Sequence, residues 1–370
     1  MPALRLSGKP SRFAAAVLLL ALTRAATAAV PDSNASAADE VPVEFWSLPT
    51  GSRIAFVHIA AAGATRRAPV IFVHGGPGAC EVYAYAFAHP WYGHLARQGF
   101  DIYLYDQIGS GYSARLADPR QYTIGRHLAD LEAIRQAIGS GQLILIGESH
   151  GASLVAGYLA DHPDRVERAA FVAPGALEPA EWRNRIYPYS SPRVALEQLH
   201  WIRETSDAGA FDRYARLDAL LRSGDIPAAH AFANDAEMDP LMDAFVRERI
   251  LRTCVHDPAR LQERQFTIPG MGWWACLMTT WDEVNHSRAV RSRLRTCRLP
   301  VLILRGDSDY LPVEIARQYV ATLPNARMIA VPAAGHFIWM DQPEVYRREI
   351  ETFFLGSIPP ARSFTGSPDL

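Results

Sequence analysis

The stretch "LILIGESHGASLVAGYLA", residues 143–160, sets Ser149 between two glycines where an apolar run gives way to helical periodicity. Its centre, "GESHG" (147–151), fits G-x-S-x-G, a pattern with chemical meaning when a strand precedes it and a helix follows it. The turn between them is tight enough that side chains two positions either side of the serine collide, which accounts for Gly147 and Gly151. Such a turn holds Ser149 Oγ out at the edge of a sheet, beside a helix N-terminus that stabilises negative charge. A serine hydroxyl is inert at its ordinary pKa. It needs a base to take its proton, and the base needs an acid to orient it.

For this arrangement the chain order is serine, acid, histidine. "VLILRGDSDYLP" reads as a strand ending in Gly306-Asp307-Ser308-Asp309, and "VPAAGHFIW" brings His336 just past a last strand. His336 is expected to accept the Ser149 proton and return it to the leaving group. Asp309 is preferred as the acid, because Asp307 directly follows Gly306 and can cap the turn through its own backbone; Glu178 is a third candidate. The oxyanion of the transition state needs donors as well. The backbone N–H of His150 supplies one, and the loop "HGGPGA" (74–79) the other, through Gly76.

These residues need a scaffold of alternating strands and helices. "VEFWSLPTGSRIAFVHIA" (43–60) reads as two strands joined at Pro49-Thr50-Gly51. "APVIFVHGG", "FDIYLYDQIGSG", "QLILIG", "VERAAFVAPG", "LPVLILRGDSD" and "ARMIAVPAAGH" follow as further strands. Between them lie helical stretches, one with Leu128, Leu131, Ile134 and Ile138 at helical spacing, and a closing helix in "PEVYRREIETFFLG". Apolar strands alternating with helices predict a mostly parallel sheet covered on both faces. From 175 to 295 strand-like runs vanish, and this segment is expected to be a helical cap inserted into a core of 42–174 and 296–370.

The whole chain narrows the chemistry. It has 370 residues, 49% hydrophobic and 21% charged, a globular balance. A net charge of -2 gives no reason to expect nucleic acid or an anionic membrane as partner. Lys9 is the only lysine, which removes Schiff-base lysines and a Ser–Lys dyad from the core. No Cys-x-x-Cys or His-Glu-x-x-His occurs, so neither a metal nor another cofactor is expected. Arg5, Lys9 and Arg12 precede the apolar run "FAAAVLLLALT", and Ala26-Thr27-Ala28 fits a cleavage site. Residues 1–29 therefore read as a signal peptide and 30–41 as a flexible tether, which predicts a periplasmic or secreted protein. In that compartment disulfides are permitted, and Cys254, Cys276 and Cys297 lie close enough in sequence for a pair to form; Cys80 stands apart.

The chain resembles the α/β-hydrolase fold, and more narrowly the proline iminopeptidase family, over roughly residues 42–355. "HGGPG" at 74–78 is similar to that family's oxyanion loop, and "DQIGSGYS" at 106–113 to its D-Q-x-G-x-G-x-S stretch. The resemblance implies Ser149, Asp309 and His336 as a catalytic triad, and Gly76 and His150 as oxyanion donors. It implies release of an N-terminal residue, often proline, from peptides without metal or cofactor, the free ammonium being held by cap carboxylates. Glu178, Glu181, Asp282 and Glu283 are available for that task, and Trp273 and Trp274 could line an apolar pocket. The chain departs from the family at Ile108, where arginine is usual, and at Glu148 and His150, where the elbow commonly reads G-G-S-W-G. The same triad would also serve a carboxylic-ester or lactone hydrolase, or an acyltransferase, while a binding protein that kept the fold would be expected to have a degenerate triad. Ser149 speaks against the aspartate-nucleophile chemistry of epoxide and haloalkane hydrolases.

Overall fold

A computed structural model describes residues 42–63, 65–82, 92–182, 208–261, 270–286 and 288–356. The proposed leader and tether lie outside the described residues. The strands are β1 (Glu44–Ser47), β2 (Arg53–Ile59), β3 (Val70–Val73), β4 (Ile102–Tyr105), β5 (Leu143–Glu148), β6 (Val166–Val172), β7 (Val301–Gly306) and β8 (Ala326–Val331). They form one eight-stranded sheet in the order β1-β2-β4-β3-β5-β6-β7-β8. β1 and β2 pair antiparallel, as do β2 and β4, and every later pairing is parallel.

The α-helices of five residues or more among the described residues are α1 (Tyr92–Arg97), α2 (Ile124–Ile138), α3 (His150–Asp161), α4 (Ala208–Ser223), α5 (Ile226–Phe232), α6 (Asp235–Phe245), α7 (Trp273–Asn285), α8 (Val290–Leu294), α9 (Val313–Thr322) and α10 (Pro343–Leu355). Strand side chains alternate between two cores, as the two-residue period of a strand requires. Ile71, Val73, Leu143, Leu145, Phe171 and Ile303 enter one core with α2, α3 and α9. Val70, Phe72, Ile144, Ile146, Val172 and Leu304 enter the other with α1 and α10. Both faces are thus covered, which explains why the central strands read as unbroken apolar runs.

The described part of the segment between β6 and β7 is helical, without strands, and carries α4 to α8. It touches the loops at the carboxyl ends of the parallel strands. Gly272 N donates to Gly78 O (2.8 Å) after β3, and Gly111 N, after β4, donates to Gly270 O (2.6 Å). All four cysteines carry free thiols. The expected pair among Cys254, Cys276 and Cys297 does not form, since each packs elsewhere. Cys254 lies against the loop after β8, and Cys276 against Gly78. Cys297 is buried just beyond α8.

Candidate active site

β5 delivers the chain to Ser149, and α3 begins at the next residue. Ser149 takes φ 52°, a left-handed conformation that a non-glycine residue adopts only when its surroundings over-determine it. Three backbone hydrogen bonds do so: Ser149 N donates to Val172 O (2.9 Å), while Ser149 O accepts from Ala152 N (3.0 Å) and Gly175 N (2.8 Å). The flanking glycines are needed because the backbones touch. A Cβ on Gly147 would stand 2.7 Å from Gly151 O, and one on Gly151 would overlap Val73 O. Gly151→Ala is therefore expected to destabilise the fold by about 3 kcal/mol through overpacking against a rigid strand. Urea denaturation checks this, and a midpoint equal to wild type would contradict the contact.

His336 follows β8 and Asp309 follows β7. His336 Nδ1 and Asp309 Oδ1 are 2.9 Å apart, and the two side chains are 3% and 1% exposed. Burial opposes charge on the imidazole, but Asp309's charge and hydrogen bond outweigh it and raise the His336 pKa. Asp309 also accepts from Leu311 N (3.0 Å). Asp307 is exposed; it accepts from Ser308 Oγ (3.0 Å) in its own loop and from Ala334 N (3.4 Å) in the loop after β8. The fold thus brings Asp309 to His336 and leaves Asp307 between its own turn and the backbone of the loop after β8. Ser149 is half-buried and within reach of solvent, and Tyr310, beside Asp309, lays its ring 4.7 Å from that of His336.

The loop after β3 lies against the elbow, since a Cβ on Gly75 would stand 2.8 Å from Ser149 Cβ. Gly76, the next residue, is exposed at φ 113°, a conformation that favours glycine. His150 opens α3, where the first N–H groups have no partner inside the helix. His74 pins this loop: Gln107 N donates to its Nε2 (2.9 Å), leaving Nδ1–H for Gly75 O (2.9 Å). Burial lowers the His74 pKa to about 4, which matches that neutral tautomer. Asp106 does the same for the "DQIGSGYS" stretch, accepting from Glu81 N (2.7 Å), Val82 N (2.9 Å) and Tyr112 N (2.8 Å).

Other sequence candidates have other partners. Glu178 accepts from Arg291 N (3.1 Å), and Glu181 is half exposed and ion-paired with the Arg291 side chain. Both are engaged at α8 instead of being gathered with Ser149. Trp273 and Trp274 are core residues in a T-shaped pair with centroids 4.8 Å apart, because the inner face of α7 packs against α6. Asp282 accepts from Ile124 N (2.9 Å) and joins α7 to α2. Glu283 differs from all of these. Its Oε2 lies 3.5 Å from His150 Nε2, both groups are buried, and among the described residues neither atom has a hydrogen-bond partner. Burial, then Asp282, raises the Glu283 pKa to about 8, while burial, then His127 and His74, lowers that of His150 to about 3. Burial thus disfavours the charged form of both groups, despite their ion-pair distance.

Sequence reasoning noted Glu148 only as a departure from a pattern. Its carboxyl is buried behind the elbow and accepts from Trp339 Nε1 (3.2 Å). Burial raises its pKa, with His336 opposing. Its place before Ser149 at the end of an all-buried strand was the available signal. Among the described residues no group of three or more His, Cys, Asp or Glu is placed to hold a metal ion, and no helix is long and apolar enough to cross a membrane.

A family profile described as the alpha/beta hydrolase fold matches residues 68–343. A proline iminopeptidase from Heyndrickxia coagulans is 32% identical over 304 residues, covering 82% of this chain and 96% of that protein. Among solved structures, an esterase from a Rhodococcus species superposes with TM-score 0.59 at 17% identity, covering 86% of this chain and 99% of its own. The proline iminopeptidase of Mycobacterium smegmatis superposes with TM-score 0.53 at 20% identity, covering 85% and 97%.

Proposed function

The chain belongs to the α/β-hydrolase fold family, among its proline iminopeptidase-like members, and from that premise we propose that it is an exported serine hydrolase that releases an N-terminal residue from short peptides. The observation that carries this reading is the buried Asp309–His336 pair at the sheet edge that also presents Ser149. Ser149 Oγ attacks the scissile carbonyl carbon while His336 Nε2 takes its proton. The negative charge that moves onto the carbonyl oxygen is met by the N–H groups of Gly76 and His150. Collapse expels the amine, which leaves with the proton from His336, and an acyl-enzyme remains on Ser149. Water then repeats the sequence, with His336 as base, and frees the acid.

Glu283 supports the exopeptidase side of this reading. A buried carboxyl with an orphaned oxygen is costly, and a substrate ammonium would both ionise and satisfy it. Glu283→Gln is expected to raise KM for a free-amine substrate roughly 10- to 100-fold, the range lost with a charge-assisted hydrogen bond. Turnover of an uncharged ester should change less than about threefold. Steady-state kinetics on alanine p-nitroanilide and a p-nitrophenyl ester check both, and equal losses on the two would remove Glu283 from the ammonium site. The reading as a whole is tested by comparing proline and alanine p-nitroanilides, free and N-blocked, with p-nitrophenyl acyl esters. Turnover of the free anilides with the blocked ones inert establishes the exopeptidase, and ester turnover alone makes the protein a carboxylic-ester hydrolase. Export rests on residues 1–29, and mass spectrometry of the mature N-terminus tests it.

A further inference from the structure

We propose that Asp341 is a positioning residue that locks the loop bearing His336 to the cap turn at 254–257; the proposal rests on His336 acting as the base. Asp341 is buried, yet its carboxylate is met by main-chain donors from two separate elements. Oδ2 accepts from Gly335 N (2.8 Å), the residue before His336, and from His256 N (2.8 Å) in the cap. Oδ1 accepts from Asp257 N at 3.4 Å. On the other side of His336, Phe337 N donates to Cys254 O (2.8 Å). Both neighbours of the base are therefore tied, directly or through one carboxylate, to a turn of the inserted segment.

The approach is close enough to demand glycine. A Cβ on Gly335 would stand 2.7 Å from Cys254 O and 2.9 Å from His256 N. The same cap turn reaches the acid loop, where His256 Nδ1 lies 2.8 Å from Ser308 Oγ, next to Asp309, and Ser308 N donates to Ala334 O (2.9 Å). His256, Ser308 and Asp307 look like a second Ser–His–Asp set, but the acid bonds the serine and not the histidine, so they form a strut. The cap is thus part of the device that sets the imidazole. A carboxylate offers only acceptors, whereas an amide must turn either its NH2 group or its single oxygen toward each donor. Because Gly335 N and His256 N share Oδ2, an asparagine oxygen turned to that position would keep both bonds, so Asp341→Ala, which removes the acceptor altogether, is the variant that lets the base loop shift. A displacement near 1 Å at a catalytic group costs on the order of 100-fold.

The test is kcat and KM of Asp341→Ala and Gly335→Ala, each divided by the serines titrated with a fluorophosphonate, so that only folded active sites count. The expected result is a kcat reduced roughly 10- to 100-fold with KM within about threefold. A purely structural role would lower the number of titratable serines and leave kcat per serine at the wild-type value, and that result in both variants overturns the proposal. If Asp341→Ala does not fold, Gly335→Ala disturbs the same contact from the other side and decides alone. Ser149→Ala and His336→Ala run in parallel: activity surviving in them means that the base assignment has failed, a different outcome from a wild-type kcat at position 341.

Discussion

Ser149→Ala is expected to reduce kcat/KM by roughly 10⁴- to 10⁶-fold, the loss seen when a serine nucleophile is removed from a triad that acts as a unit. The residue left behind still has a β-carbon, so the strained φ of 52° and the three backbone hydrogen bonds that hold it are unchanged in kind. Stability should therefore stay near wild type while turnover and fluorophosphonate labelling are both lost. Residual activity would come from the oxyanion donors and substrate binding alone. The measurement is kcat/KM on the best substrate of each class together with labelling by the probe. Activity within tenfold of wild type would mean that Ser149 is not the nucleophile, and would remove the acyl-enzyme with it.

The second large effect separates two aspartates two positions apart. Asp309→Asn is expected to lower kcat by about 10⁴-fold, because an amide opposite Nδ1 favours the wrong tautomer and no longer stabilises the imidazolium. Asp307→Asn should change kcat less than about threefold, since that carboxylate is exposed and its one bond to the loop after β8, from Ala334 N, is long at 3.4 Å. The two variants also differ in pH dependence. Only the neutral imidazole can take the serine proton, so wild-type activity rises with pH through the His336 pKa. Asp309's charge and hydrogen bond raise that pKa against the opposing effect of burial. Removing the charge moves the rising limb to lower pH while the plateau falls, whereas Asp307→Asn leaves the limb in place. A limb that shifts with Asp307 instead would reverse the assignment of the acid.

Much of this protein is written in short-range pattern. A short all-apolar run buried on both faces reads as a central strand, as at residues 143–146 of β5. The elbow is equally local, because the collisions that require Gly147 and Gly151 arise within one strand–turn–helix unit packed on its neighbouring strand. Thr123 and Gly139 bracket α2 as its caps for the same reason, each bonding backbone groups within one turn. The resemblance through "HGGPG" and "DQIGSGYS" was likewise legible, since His74 and Asp106 organise loops through contacts that those patterns encode.

The acids were legible only in part. Turn chemistry favoured Asp309 over Asp307, and the packing of the β7 and β8 loops puts Asp309 2.9 Å from His336. Glu178, Glu181, Asp282 and Glu283 are all cap carboxylates in sequence, but Arg291 and the N-terminus of α2 engage the first three while burial against His150 sets the fourth apart. Asp341 left no signal at all, because its role depends on donors 85 residues away in the inserted segment. By itself the sequence determined the strands, the elbow and the order of serine, acid and histidine, because each depends on contacts within one or two elements. Which carboxylate meets which partner was decided by the tertiary structure alone, since charge and hydrogen bonding act across space between segments whose separation along the chain carries no trace of their meeting.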